Sequence, residues 1–319
     1  MAISVLSQPQ FHSEEAAFAF LEGVLWPEGP VCPHCGGMGR ISKIKPNVEK
    51  RVRIGLHKCG DCGKQFTVKV GTVFEHGRIP LHKFLQAVHL LCSSKKGISA
   101  HQLHRILEVQ YKTAWFLAHR IREAMRDGSL APMGGLGSFV EADETYFGKT
   151  TEQPTLNTRG RPFLTKHKFG PSGKRAIVAL VERGGNVRSF HVERATKENV
   201  AAIVRENVHR ESDLRTDESN LYTGLWEEFT SHETVRHSAE EYVRGDAHTN
   251  TVEGVFSIFK RGMKGVYQHC GEKHLHRYLA EFDFRYNQRI ALGVNDGERA
   301  ERALEGIRGK RLTYRTAGI

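Results

Sequence analysis

The chain has 319 residues, 39% apolar and 26% charged, which suits a folded protein of two or three domains. Lys and Arg number 47 against 36 Asp and Glu, a formal net charge of +11, and a polyanionic partner such as nucleic acid is the simplest reason for that excess. No apolar run approaches the roughly 18 residues of a membrane span, and residues 1–21 carry Glu14 and Glu15 where a secretory signal would be apolar, so a cytoplasmic protein without a membrane partner is expected.

Residues 11–26 read as a helix, with Phe11, Phe18, Leu21 and Leu25 at helical spacing and Ser13 as its cap. They place an N-terminal helical segment over 1–30. The next segment, 31–76, holds four of the six cysteines in two pairs, Cys32-Pro-His-Cys35 and Cys59-Gly-Asp-Cys62, with 23 residues between them. Each pair forms a tight turn, and Gly36, Gly37 and Gly63 come next where the backbone must bend around sulfur. In a reducing compartment such pairs point to metal rather than disulfides. Four thiolates suit one tetrahedral Zn²⁺ in a closed structural site. His34 and His57 are then bystanders. Phe66, Val68 and Val70 alternate as a ribbon strand would. Between the pairs, Arg40, Lys43, Lys45, Lys50, Arg51, Arg53 and Lys58 face a single acid, Glu49, so this hairpin can meet phosphates.

Residues 77–128 are helical. Leu81, Phe84, Leu85, Val88, Leu91 and Cys92 form one apolar stripe, and Ser99 with Gln102 reads as a capping box for a second helix. A short turn near 108–110 leads to a third helix in which Ala114, Leu117 and Ile121 face inward. Lys112, Thr113, Trp115, His119, Arg120 and Arg122 are left for solvent or DNA. Three helices with a short second turn suggest a helix-turn-helix, whose last helix would place Lys112 and Arg122 against DNA; an ordinary helical bundle has the same pattern.

A Gly-rich linker over 128–137 marks a domain boundary. Beyond it, 138–147 reads as a strand with Glu141, Asp143 and Thr145 on one face, while Glu144 points away by alternation. A basic insertion, 158–175, separates it from a buried strand at 176–181. A turn at 183–186, a return strand at 187–192, a helix at 197–208 capped by Thr196, and a short strand ending at Asp217 come after it. Glu218 sits beside that end and is left out of the site. The order of strand, hairpin, strand, helix, strand, with acids on the first strand and ending the fourth, is the ribonuclease H-like order. A later helix, 247–261, puts Val252, Val255, Phe256 and Phe259 on one side and Asn250, Glu253, Ser257, Lys260 and Lys264 on the other. Asp246 and His248 precede it, as loop, cap or supporting groups. A last stripe, Leu275, Tyr278, Leu279, Phe282 and Tyr286, is core packing that leaves Arg277 and Arg285 for DNA. The catalytic core is thus expected over 138–291, with a charged, partly helical tail over 292–319.

Several stretches together resemble the DDE transposases of bacterial insertion sequences, in the subgroup with an N-terminal zinc ribbon: Asp143-Glu-Thr-Tyr-Phe-Gly-Lys149, Thr216-Asp-Glu-Ser219, His248-Thr-Asn-Thr-Val-Glu-Gly-Val-Phe-Ser-Ile-Phe-Lys-Arg261, and the run from His274 to Arg289. The resemblance covers about 31–289. It implies an α/β chain: an RNase H-like mixed-sheet core preceded by a zinc ribbon and a small helix-turn-helix-like domain. It implies Asp143 and Asp217 as the first two catalytic acids. Glu253, with 35 residues between it and Asp217, is the natural third. Some members carry Asn there, so Asn250, one turn earlier on the same face, shares the candidacy; a carboxylate holds Mg²⁺ better than an amide. Lys260 stands where the family places a DNA-contacting base, and Lys264 lies one turn on.

The chemistry implied is that of two Mg²⁺ (or Mn²⁺) ions, about 4 Å apart, on Asp143, Asp217 and Glu253, activating the attacking oxygen and stabilising the leaving one. The expected activity is cleavage at the element ends by water, then attack of the freed 3′-OH on target DNA. The implied partners are the terminal inverted repeats, target DNA, and further copies of the chain in a homo-oligomer on DNA. A nuclease without strand transfer shares the same metal site, and a DNA-binding regulator would need none of the three acids.

Overall fold

In a computed structural model, residues 4–128, 131–150, 173–235, 243 and 246–313 are described. The basic insertion at 158–175 lies almost wholly outside them. The chain divides into two compact units, Met1–Asp127 with Gln288–Ile319, and Gly128–Asn287.

The first unit begins with α1, Glu14–Leu25, whose N-cap Ser13 accepts the Ala16 amide as expected. A three-stranded antiparallel sheet follows, β1 (Ile41–Lys43), β2 (His57–Cys59) and β3 (Gln65–Phe66). The strand anticipated through Val70 stops at Phe66. The Val70 amide turns back onto the Thr67 carbonyl, and Gly71 then takes φ +74°, so Val68 is buried from a turn. Three helices come next, α2 (Leu81–Ser93), α3 (Ala100–Leu107) and α4 (Tyr111–Ala124). Ser99 caps α3 through the Gln102 amide, and α2 is capped across the unit by Glu14, which accepts the Leu81 and His82 amides. The charged tail contributes α8, Asp296–Glu305, opened by an Asn295–Glu298 capping box. It packs on α1, α2 and α4.

The second unit is a five-stranded mixed sheet with helices on both faces. Its strands are β4 (Phe139–Lys149), β5 (Lys174–Glu182), β6 (Val187–Val192), β7 (Asp213–Asp217) and β8 (Ser231–Val235), in the order β6-β5-β4-β7-β8. β4, β5 and β6 run antiparallel, while β7 and β8 join parallel. That is the RNase H-like arrangement. Alternation along β5 divides the core. Val178 and Leu180 pack with Val200 and Val204 of α5 (Lys197–Asn207) and with Tyr222. Ile177, Ala179 and Val181 pack beneath α6 (Asn250–Gly262) and α7 (Leu275–Asn287), against Val252, Val255, Phe256, Phe259, Tyr278 and Phe282. The helical stripes read from the sequence are therefore the buried ones.

Candidate active site

The registers decide which acids meet. Asp143 pairs with Ala179 and Glu141 with Val181, so both lie on the face covered by α6. Leu214 of β7 belongs to the opposite, α5-side core, which leaves Asp217 on the α6 face with Asp143. Glu144 pairs with Val178 and starts from the α5 side, where its Oε2 accepts the Tyr222 hydroxyl at 3.0 Å. Even so, carboxylate oxygens of Asp143, Glu144 and Asp217 all lie within 4.8 Å of one another. The expectation that Glu144 stands apart from the site is therefore wrong, for a physical reason. Pairing of β4 with β7 ends at Glu141–Arg215, and past that point β4 is paired on its β5 side alone, which leaves its other edge open between Glu144 and Asp217.

These acids line an open cleft of about 570 Å³ together with Glu253, Ser257, Lys260 and Lys264 from α6 and the π-helical turn that continues it, Met263–Tyr267. Glu253 stands outside the tight group of three, and its Oε1 accepts the Thr249 hydroxyl at 3.1 Å. Asn250 is exposed on the first turn of α6 and does not line the cleft. Burial, then the charges of Asp217 and Glu144, raise Asp143 to about 8, with a smaller push from Glu253. Glu144 is raised by burial first and then by Asp217. Burial lowers Lys260, and Asp143 opposes that shift. Backbone amides orient two of the acids: Glu144 N–H donates to Asp143 Oδ1 at 2.7 Å and Ser219 N–H to Asp217 Oδ1 at 3.1 Å. Carboxylates that repel one another yet are held by oriented amides, with hard oxygen donors from separate elements, fit a divalent cation of the Mg²⁺ class.

This gives a pH dependence with a definite sign. An acid raised in the fold stays protonated after its unfolded counterpart has ionised, so its contribution to stability is complete below about 4 and is lost as pH rises to about 8. Without divalent cations, the melting temperature should fall between pH 5 and pH 8, and fall less in Asp143→Asn. Mn²⁺ should raise it more at pH 8 than at pH 5. Asp283, raised to about 7 chiefly by desolvation, adds a background slope of the same sign in both proteins. Equal slopes for the two proteins would exclude Asp143 as the source.

Other expected contacts divide. Lys112 is exposed at the start of α4, and the ribbon's basic residues Arg40, Lys45, Lys50, Arg51, Arg53 and Lys58 are exposed. Arg122 is only 2% exposed, so it does not present a guanidinium to a DNA groove; His119 and Arg120 are buried too. The amphipathic pattern of α4 misleads because α2, α3 and α8 all pack on this helix. Arg285 is likewise buried, paired with Glu281 on its own helix.

The four ribbon cysteines place one sulfur each within 4.8 Å of the others. Cys32–Cys62 and Cys35–Cys59 sulfurs are 3.7 Å apart. A tetrahedron of Zn–S bonds of about 2.3 Å has edges of about 3.8 Å, so the donors fit a single zinc ion. His57 is no ligand: its ring stacks on Phe66 at 5.7 Å and meets Trp26 edge-on at 5.4 Å, joining the ribbon to α1.

Comparison with known proteins agrees with both centres. Residues 12–65 match the transposase zinc-ribbon domain and residues 135–287 the ISXO2-like transposase domain. A protein of Halobacterium salinarum described as "Uncharacterized protein in transposable element ISH50" is 30% identical over 287 residues, covering 86% of this chain and 91% of that one. Solved structures aligned with the chain include a Mos1 strand transfer complex (12% identity, 69% of this chain, 81% of that chain, TM-score 0.21). A pre-cleavage Mos1 transpososome also aligns (11% identity, 69% and 82%, TM-score 0.15), and at these scores neither superposition bears on the fold. By its two matched domains and its 30% identical relative, the chain belongs to the zinc-ribbon family of ISXO2-like, DDE-type transposases of insertion sequences.

Proposed function

We propose that this transposase cuts DNA at the ends of its insertion sequence and joins the freed 3′-OH to target DNA, using Asp143, Asp217 and Glu253 as metal-holding acids. The observation that carries this reading is the cleft itself: acids from β4, β7 and α6 line it together, with Lys260 and Lys264 in the same lining. Two Mg²⁺ ions bound there would supply an activated attacking oxygen and a stabilised leaving oxygen. The chain's own contribution is placement. Asp143 and Asp217 hold their carboxylates from strands, Glu144 adds a third from the far side of the sheet, and Tyr222 donates to it. Lys260 and Lys264 lie where a phosphate backbone entering the cleft would meet positive charge. Lys112 and the ribbon's exposed lysines and arginines are the proposed contacts for terminal-repeat DNA, and Cys32, Cys35, Cys59 and Cys62 the ligands of one structural zinc. The work at paired ends implies a homo-oligomer on DNA.

Asp143 and Asp217 are common to both alternatives for the third acid, so substitution separates them. Glu253→Gln should reduce end cleavage by about 100-fold or more, beyond the usual cost of disturbing a group behind a metal ligand. Asn250→Ala should stay within a fewfold of wild type in the same gel assay. An active Glu253→Gln beside an inactive Asn250→Ala would transfer the role to Asn250.

A further inference from the structure

We propose that Glu141 is a positioning residue for this active site: from β4 it caps helix α6, and so sets where Glu253 stands relative to Asp143. The inference rests on the reading of Glu253 as a metal-holding acid.

Glu141 is 0% exposed, a position that a carboxylate keeps only when its lone pairs are all engaged. They are. Oε1 accepts from Arg183 Nε at 2.6 Å and from the Thr251 hydroxyl at 2.8 Å. Oε2 accepts the backbone amides of Thr251 at 2.9 Å and Val252 at 3.0 Å. Those amides belong to the first turn of α6, where N–H groups have no partner within the helix and a negative charge is favoured. An N-cap side chain normally serves them. Here the N-cap residue is Thr249, and its side chain makes no capping bond. Its hydroxyl donates instead to Glu253 Oε1. The strand acid takes over the capping, and the capping residue holds the candidate metal ligand.

Arg183 tightens the same joint. While Nε binds Glu141, its Nη2 donates to the His248 carbonyl at 3.0 Å, fixing the chain just before α6. The His248 ring also approaches Glu141, with Nδ1 3.2 Å away. Glu141 and Asp143 are two residues apart on one strand face, about 7 Å. One anchors the helix and the other faces the cleft, so the spacing between Asp143 and the helix is set by a single stretch of β4. A neutral amide at 141 would offer donors where amides and a guanidinium already donate.

The test is a Mn²⁺ titration by calorimetry on the full chain, with a thermal melt for each variant. Glu141→Gln and Thr249→Val should each weaken Mn²⁺ binding about 10- to 100-fold, the usual cost of disturbing a group behind a metal ligand. Thr249→Ser, which keeps the hydroxyl, should retain affinity. In a Glu253→Gln background the same two changes should cost almost nothing further, because their effect passes through Glu253. A merely structural role would lower the melting temperature without that dependence on Glu253. Thr249→Val leaves the Glu141 contacts in place, so it reads the coupling even where Glu141→Gln does not fold. Wild-type affinity in both variants, or losses that add in full to that of Glu253→Gln, would overturn the proposal. Glu253→Gln with wild-type affinity would remove Glu253 from the metal site, and the proposal with it.

Discussion

Asp143→Asn and Asp217→Asn are each expected to abolish DNA cleavage while leaving DNA binding and the fold intact. Changes behind a metal ligand cost roughly 10- to 100-fold. Removing a carboxylate that would touch the ions should cost more, on the order of 1,000-fold, which is about 4 kcal/mol of transition-state stabilisation. The variants should not unfold. Asp143 sits in the cleft raised to about 8 by burial and by its acidic neighbours, so an isosteric amide relieves repulsion there. Asp143→Asn should therefore melt at or above the wild-type temperature at pH 8 without metal. Activity lost together with a lower melting temperature would point to misfolding instead. The measurements are a cleavage gel, a filter-binding or anisotropy titration at fixed salt, and a melt on the same preparation.

Zinc removal should have the second-largest effect. Structural zinc contributes roughly 10–16 kcal/mol in small zinc domains, and the ribbon has little else: its own buried cluster is Cys32, Cys59 and Phe66, with Trp26 and Ile41 packed against it. Stripping the ion should unfold β1–β3. The loss should reach α1, since Trp26 and Glu22 meet the ribbon through His57 and Lys43. It should also reach the segment after α8, where Val73 N–H donates to the Ile307 carbonyl and Gly309 N–H to Gly71. Hydrogen exchange before and after chelation reads this directly. Loss of protection over residues 26–73, with β4–β6 unchanged, is expected. One zinc per chain by elemental analysis should accompany it. A metal-free preparation with those amides still protected would contradict the account.

Much of this is legible in the sequence where a pattern is long and its partner local. The period of α6 separates Val252, Val255, Phe256 and Phe259 from Glu253, Ser257, Lys260 and Lys264, and the structure buries the first set and lines the cleft with all four of the second. Paired cysteines announce their own geometry. The failures share one cause, contacts set by distant chain. Alternation puts Glu144 on the α5 side, where it does start, but wrongly leaves it out of the site, because it assumes that the sheet continues beside that residue, and pairing with β7 has already ended at Glu141. Arg122 looks solvent-facing from the stripe of α4, but burial there is decided by packing from other helices. Glu141 looks like one more acid on the strand; the amides that explain it lie 110 positions on. Strand β8 gives no signal, since Ser231–Val235 is an edge strand with only Val235 buried. An edge strand needs no hydrophobic alternation when one residue meets the core.

The most direct measurement of the central claim is an end-labelled gel assay of wild type and Asp143→Asn on duplex DNA from the flanks of the coding sequence, with supercoiled target DNA, in Mg²⁺ or in chelator. Nicking at the element boundary is expected, with a slower band in which that 3′ end is joined to target, both present only with wild type and Mg²⁺. Boundary nicks that never become joined products would make the protein a nuclease. Binding with no nick under any divalent cation would contradict the account altogether and leave a DNA-binding protein with an idle acidic cleft.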